Sequence, residues 1–249
     1  MNIKNKFGFT SFSMVDSPNG TISSVIYTLG CTMRCNYCYN NTLVLPELFS
    51  SNDPLYSKEE IKSLILSKRT LNTKNNTFFN KSDYIVLSGG EPLMHYDDVV
   101  DFAIYAKSLG FKVKLNTNSS IDVTRLLETK SVDYVSIDFK FPFQDYNNES
   151  VQQNFKYIQQ SKTKKLINEF EIHTVILKGF IDKETIIKMA EELNTLSISA
   201  SWYLVGYKHM DTVLDKTLSP NNRFFEPEAK ELYQTALMHY NGKVILSGY

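Results

Sequence analysis

The sequence has no excess of charge of either sign. Its 249 residues carry 27 Lys and Arg against 27 Asp and Glu, for a formal net charge of zero and a pI of about 6.9. Such a chain projects no overall field for gripping a nucleic-acid backbone or an anionic membrane, so neither is an expected partner and any polyanion contact must be local. Long apolar runs are missing as well: none approaches the ~18 residues of a membrane span. Residues 1–16 hold Lys4 and Lys6 but no apolar block fit for a signal peptide, which points to the cytoplasm. Internal repeats and low-complexity tracts are absent, the nearest being the Asn- and Lys-rich stretch 71–82, which reads as a solvated loop. Cysteine is scarce and confined. There are three, all between Cys31 and Cys38. An odd number cannot pair internally, and in a reducing compartment such a group is a metal or catalytic site rather than a disulfide framework.

What is present is an alternation of two periods. Short β-rich runs at 23–29, 84–87, 112–115, 133–139, 169–177, 201–205 and 243–246 read as strands. Helical periods fall between them, at 58–67, 97–109 (ended by Gly110), 123–129, 151–160, 183–194 and 227–240, the last with Pro227 in its first turn. Strands alternating with helices imply right-handed βαβ units and a mostly parallel sheet. The expected fold is α/β, a partial or full (β/α) barrel of about six βα units with the cysteine loop after the first strand. One domain over 1–249 accounts for the length, with a core over about 20–205 and a C-terminal extension over about 206–249. In such folds chemistry belongs at the C-terminal ends of the strands.

The polar residues cluster at those ends. Cys31-Thr-Met-Arg-Cys35-Asn-Tyr-Cys38 spaces its thiols C-x3-C-x2-C directly after the first strand. Three soft thiolates suit zinc or an iron-sulfur cluster. A structural zinc site normally wants four protein ligands; there is no fourth cysteine, and His95, His173, His209 and His239 are remote in sequence, though one could complete the set in space. A 4Fe-4S cluster with three protein ligands instead leaves one iron open for a small molecule. After the second strand comes Ser88-Gly89-Gly90-Glu91-Pro92, whose glycines let backbone approach a ligand, or simply make a strand-to-helix turn. Asn116-Thr117-Asn118-Ser119 closes the third strand, Asp138-Phe-Lys140-Phe-Pro142 the fourth, and His173 lies on the fifth. Taken bare, these are polar strand ends, an ion pair and a lining histidine.

The cysteine spacing, with Tyr37 before the last thiol, resembles the signature of radical S-adenosylmethionine enzymes. The resemblance implies a 4Fe-4S cluster on Cys31, Cys35 and Cys38, with S-adenosylmethionine chelating the open iron. It also implies cofactor contacts for Tyr37 and for the family's GGEP-like segment at Gly89, Gly90 and Glu91, Glu91 bracing the turn. In activases of glycyl-radical enzymes the later strand ends read D-T-N-G and D-x-K and handle the cofactor's ribose and carboxylate, in some members with a monovalent cation. Here that places Asn116, Thr117, Asn118, Asp138 and Lys140 at the cofactor. Asn116 and Ser119 replace the acid and the glycine, which leaves Asp138 as the one charged candidate ligand for such a cation. His173 falls where the family commonly has a cofactor-contacting Arg.

Upstream, Phe12-Ser-Met-Val-Asp16-Ser-Pro18-Asn-Gly20 looks like the opening of these activases, and is especially similar to that of the activating protein of anaerobic ribonucleoside-triphosphate reductase. Its Asp, Pro and Gly would make a β-turn in any case; the resemblance makes Asp16 a partner-binding residue. Tyr39 departs from the pattern, since activases usually have His after the third cysteine. The likeness runs from Phe12 to Pro142, about half the chain, and is faint beyond residue 180.

The activity so implied is reductive cleavage of S-adenosylmethionine and abstraction of hydrogen from a backbone glycine of a partner, anaerobic ribonucleotide reductase. An external one-electron donor such as flavodoxin or ferredoxin would feed the cluster. The alternatives are a radical enzyme acting on a small molecule, such as 7-carboxy-7-deazaguanine synthase, an activase of another glycyl-radical enzyme such as pyruvate formate-lyase, and a zinc protein without enzymatic activity. With all three thiols in one site, no auxiliary cluster and no redox-exchange pair are expected.

Overall fold

The computed structural model describes residues 6–18, 21–45, 54–70, 82–140 and 149–249. The polar stretch 71–81 and Asn19, Gly20, Phe141 and Pro142 of the motifs above lie outside them.

Among the described residues eight strands form one sheet: β1 (Phe7–Ser13), β2 (Ser23–Thr28), β3 (Tyr84–Gly89), β4 (Lys112–Thr117), β5 (Tyr134–Asp138), β6 (Glu169–Ile176), β7 (Ser201–Gly206) and β8 (Val244–Ser247). Between them run α1 (Asn41–Val44), α2 (Lys58–Thr70), α3 (Tyr96–Ser108), α4 (Thr124–Glu128), α5 (Glu149–Thr163), α6 (Lys183–Thr195) and α7 (Glu226–His239). The strands lie side by side in chain order; β2 to β8 are parallel, and β1 is antiparallel to β2. A sheet that adds each strand on the same side, with a helix in the crossover, winds in one direction and curls toward a barrel. The expected parallel α/β architecture is thus present, with seven parallel strands and six crossovers.

One strand was not legible in advance. β1 begins with alternating Phe7 and Phe9, but a bulge between Thr10 and Ser13 shifts its register against β2, so Phe12 turns out to solvent. The broken alternation hides the strand from a period-two reading.

The strand period sorts the side chains onto two faces. Ile26, Ile85, Leu87, Val113, Leu115, Val135, Ile137, Phe170, Ile172, Trp202 and Leu204 join one large core with Phe102, Ala103, Phe155, Ile186 and Ala236 of the helices. The two largest buried polar tips in this layer are paired: Trp202 Nε1 donates to Thr174 Oγ1 at 2.9 Å, and the Tyr240 hydroxyl donates to the Ala200 carbonyl at 2.7 Å. The residues between these positions make the opposite, concave face, which is far more polar. There Lys114 Nζ lies 3.0 Å from Glu171 Oε1, and the Tyr134 hydroxyl donates to Glu171 Oε2 at 2.7 Å. Burial alone would raise the Glu171 carboxyl, but His173, Lys114 and Tyr134 together hold it down at about 2. The barrel interior therefore holds a fixed negative charge matched by a lysine, beside a small apolar cluster of Val25, Tyr84 and Val86.

Candidate functional site

The parallel strands bring their C-terminal ends together, and the sequence motifs sit there. β2 leads through Leu29 and Gly30 into the cysteine loop, which has no regular secondary structure of its own apart from a turn closed by Cys38 N–H donating to the Cys35 carbonyl at 2.9 Å. All three cysteines are free thiols. Burial raises each of them, Cys35 to about 11, and they are close enough that Cys31 and Cys38 push Cys35 up further while the nearby Lys140 ammonium pulls it down. Donors are already aimed at the sulfurs: Met33 N–H lies 3.4 Å and Asn118 Nδ2 3.7 Å from Cys31 Sγ, and the Asn40 backbone N–H bonds Cys38. The hydrogen bonds and the Lys140 ammonium pull toward the thiolate form that a metal centre requires, against the burial that favours the thiol. Among the described residues no three His, Cys, Asp or Glu side chains close on a point fit for a single metal ion. Three soft sulfur donors on one loop are of the kind that an iron-sulfur cluster takes.

The Gly-Gly turn at the end of β3 is pressed against the start of the cysteine loop. Gly90 N–H donates to the Thr28 carbonyl at 3.0 Å and Glu91 N–H to the Gly30 carbonyl at 2.9 Å. A Cβ at Gly89, where φ is +115°, would overlap the Thr28 amide and stand 2.7 Å from its carbonyl oxygen; one at Gly90 would overlap the Gly30 carbonyl oxygen and stand 2.6 Å from its carbon. The protein's own backbone therefore demands both glycines, before any ligand is considered.

Glu91 ties this turn to the end of β4. Wholly buried, it accepts from Leu93 N–H at 3.2 Å, from the Thr117 hydroxyl at 2.9 Å and from Asn118 N–H at 2.8 Å. Burial pushes its carboxyl from 4.5 up to about 7, against the pull of those three donors. Because the folded value lies above the unfolded one, its contribution to stability is complete below pH 4.5 and fades as the pH rises through about 7. Glu91→Ala strands three buried donors and is expected to cost about 2–4 kcal/mol. In urea titrations the gap between wild type and variant should be wider at pH 5 than at pH 8, by about 3 kcal/mol. A gap independent of pH would show that Glu91 titrates normally.

The remaining motif residues stand around the same rim. Asn118 Nδ2 also donates to Thr32 Oγ1 at 3.0 Å, so the β4 end touches the cysteine loop directly. Asn116 Nδ2 donates to Ser88 Oγ at 3.2 Å, while its Oδ1 is buried without a partner. Asp138 and Lys140 pair at 2.9 Å, and the Lys140 ammonium lies 5.8 Å from the ring centre of Tyr37, itself buried beside Cys35. Burial alone would lower Lys140, but Asp138 foremost carries it well above its ordinary value, so it stays charged. His173 faces Asp138 across the β5–β6 register; its Nε2 is 3.1 Å from Glu171, and its ring stacks on Tyr203 at 4.7 Å. Asp16 lies on the turn after β1, where Ser13 Oγ donates to it at 2.9 Å. Burial first, and then the Asp16 and Asp138 carboxylates, raise the Tyr39 hydroxyl above its ordinary value.

Two contributors carried no motif. His95 Nε2 lies 2.7 Å from the Leu29 carbonyl and its ring packs edge-on against Phe7, fixing the backbone just before Cys31. The segment 207–218, from the region read as an extension, lies on the cysteine loop: Tyr207, Val213 and Leu218 form a small core with Cys35 and Tyr37.

Known proteins resemble this chain in sequence and in fold. The pattern of the Radical SAM superfamily matches residues 25–193. A provisionally named glycyl-radical enzyme activating enzyme of Methanocaldococcus jannaschii is 34% identical over 144 residues, 56% of this chain and 51% of that protein, so the chain spans about half its length. The 7-carboxy-7-deazaguanine synthase of Clostridium acetobutylicum is 24% identical over 168 residues, 67% of this chain and 69% of that one. The pyruvate formate-lyase-activating enzyme of Streptococcus mutans is 24% identical over 215 residues, 80% and 76% of the two chains. Among solved structures, SuiB of Streptococcus suis bound to S-adenosylmethionine superposes with a TM-score of 0.58 at 14% identity, over 90% of this chain and 50% of that one. A spore photoproduct lyase variant gives 0.61 at 10% identity, over 94% and 79%. With three free thiols on the loop after the first parallel strand, a Gly-Gly-Glu turn bonded to the start of that loop, and a match over residues 25–193, the chain belongs to the radical SAM superfamily.

Proposed function

We propose that this protein is an activase that takes one hydrogen atom from a backbone glycine of a partner enzyme, anaerobic ribonucleotide reductase, leaving a glycyl radical. The observation that carries the reading is the set of three free thiols on the loop after β2, with the Asn118 amide 3.7 Å from the Cys31 sulfur. The relative named as a glycyl-radical enzyme activating enzyme, 34% identical, supports the choice of reaction. When bound, a 4Fe-4S cluster and S-adenosylmethionine would supply one electron, drawn from a donor such as flavodoxin or ferredoxin, and a 5'-deoxyadenosyl group that leaves with the glycine hydrogen, beside free methionine.

The chain's own residues hold and shield. Cys31, Cys35 and Cys38 are the cluster ligands, and the Asn118 amide steadies Cys31. Gly89, Gly90 and Glu91 set the edge against which the cofactor's methionine end would rest. Thr117, Asn116, His173 and Tyr37 line the space beside it. Lys140, kept charged by Asp138, offers a cation to a carboxylate. Asp138 would also serve a monovalent cation. Asp16, whose carboxylate helps raise the Tyr39 hydroxyl, meets the partner's loop, which must unfold locally to bring its glycine into near contact.

The test is to mix the reduced protein with the reductase and S-adenosylmethionine without oxygen and search by electron resonance for the doublet of a glycyl radical. Cofactor cleavage with no doublet on the reductase, nor on pyruvate formate-lyase put in its place, would sink the activase reading and favour the second one, a small-molecule reaction. That reading has its own support in the charged Lys114–Glu171 floor of the concave face and in the synthase relative. An activase of another glycyl-radical enzyme, such as pyruvate formate-lyase, would give the doublet only with that partner. Asp16→Ala is expected to leave uncoupled cofactor cleavage near wild type and to lower the radical yield about tenfold. Equal loss of both would move Asp16 from the partner surface into the cofactor site.

A further inference from the structure

We propose that the segment 207–218 is a clasp on the cysteine loop and that Asp215 is its positioning residue, holding Asn36 so that Cys35 and Cys38 retain a cluster. The proposal rests on the cluster reading above. Three hydrogen bonds converge between the second and third cysteines. Asp215 Oδ2 accepts from Asn36 Nδ2 at 2.8 Å, Asp215 N–H donates to the Asn36 carbonyl at 3.0 Å, and Leu214 N–H donates to the Cys38 carbonyl at 3.0 Å. The carboxylate is itself anchored, because its Oδ1 accepts from both the amide and the hydroxyl of Thr217, at 2.9 and 2.6 Å. It cannot swing away without breaking those bonds.

Behind the bonds, Tyr207, Val213 and Leu218, each less than a tenth exposed, pack on Cys35 and Tyr37. The cysteine loop lacks helix or strand structure and is closed on itself only by the Cys35–Cys38 turn and the Arg34 side chain, so its shape depends also on what touches it from outside. On one side that is the Gly-Gly turn and Asn118; on the other it is this clasp. A ligand loop clamped from two sides spends less time in conformations that release metal, and partners one bond removed from a ligand typically change metal retention by about 10–100-fold. The clasp also packs apolar side chains against Cys35, with Cys38 at the margin of the same cluster, which limits access of water there.

The experiment uses full-length protein reconstituted with iron and sulfide under anaerobic conditions, then challenged with excess ferrous chelator while iron release is followed. Asn36→Ala and Asp215→Ala are each expected to release iron about tenfold faster than wild type. The double variant should be no faster than the quicker single one, since both lose the same bond. Asp215→Asn should release iron near the wild-type rate: the Asn36 amide can turn to present its oxygen to the new NH2, and the retained oxygen still serves Thr217. Melting temperatures of the metal-free variants should stay within about 3 °C of wild type. Wild-type release from the alanine variants would overturn the proposal. So would equally fast release from Asp215→Asn and Asp215→Ala accompanied by a fall in the metal-free melting temperature, which is what a merely structural contact would give. Failure of the wild-type chain to take up iron would instead overturn the cluster reading, and this proposal with it.

Discussion

Gly90→Ala is expected to bind no iron after reconstitution, although it removes no ligand. The added methyl would overlap the carbonyl oxygen of Gly30, the residue directly before Cys31, and stand 3.3 Å from the Cys31 Cβ. Relief by side-chain rotation is unavailable, because the obstructing atoms are backbone. The two turns are also bonded to each other through Gly90 N–H and Glu91 N–H, so they cannot drift apart without losing both bonds. Either the cysteine loop shifts and its thiols no longer converge, or the β3 turn shifts and Glu91 abandons its three donors. Both routes cost about 3 kcal/mol or more. Gly8→Ala is the control, since its Cβ would meet Tyr27 at 3.4 Å, an ordinary contact. It should bind iron normally and melt near wild type. The measurements are iron per chain and melting temperature. Full iron content in Gly90→Ala would mean that the contact between the two turns does not govern the cysteine loop.

Cys35→Ala is expected to lose iron binding and S-adenosylmethionine cleavage together, both to background. No spare thiol exists to take its place, since the sequence has three cysteines and all are in this loop. Cys35 is the most enclosed of them, packed with Tyr37, Tyr207 and Val213. Its thiol, pushed up to about 11 by burial, gives up a proton on binding metal, so retention should strengthen as the pH rises toward that value. The variant should also lack the brown iron-sulfur chromophore after anaerobic purification. Cleavage at the wild-type rate in this variant would refute the cluster assignment. A colourless wild-type protein carrying one zinc would do the same.

The two variants probe different kinds of information. The cysteine spacing and its position after a strand are legible from the chain because they are local: eight consecutive residues make the loop, and a period-two run precedes it. The parallel α/β class was equally legible, since alternating strand and helix periods leave few topologies once right-handed crossovers are required. β1 escaped because a bulge breaks its alternation. The Gly-Gly turn was visible as a turn, yet its reason was not. The glycines are dictated by Thr28 and Gly30, which lie some sixty residues away in the chain and one strand away in the sheet.

The sequence by itself determined the chemistry on offer: which thiols exist, that they sit together, and that they follow a strand whose C-terminal end opens into a polar mouth. It did so because neighbours along a short loop remain neighbours in space whatever the rest of the chain does. Tertiary structure alone decided how that loop is held. The Asn36–Asp215 bond joins residues 179 positions apart, His95 reaches back to Leu29, and Glu91 links the third strand to the fourth. No periodicity or spacing encodes such contacts, because they depend on the curl of the sheet that brings β2, β3, β4 and the segment after β7 to one rim.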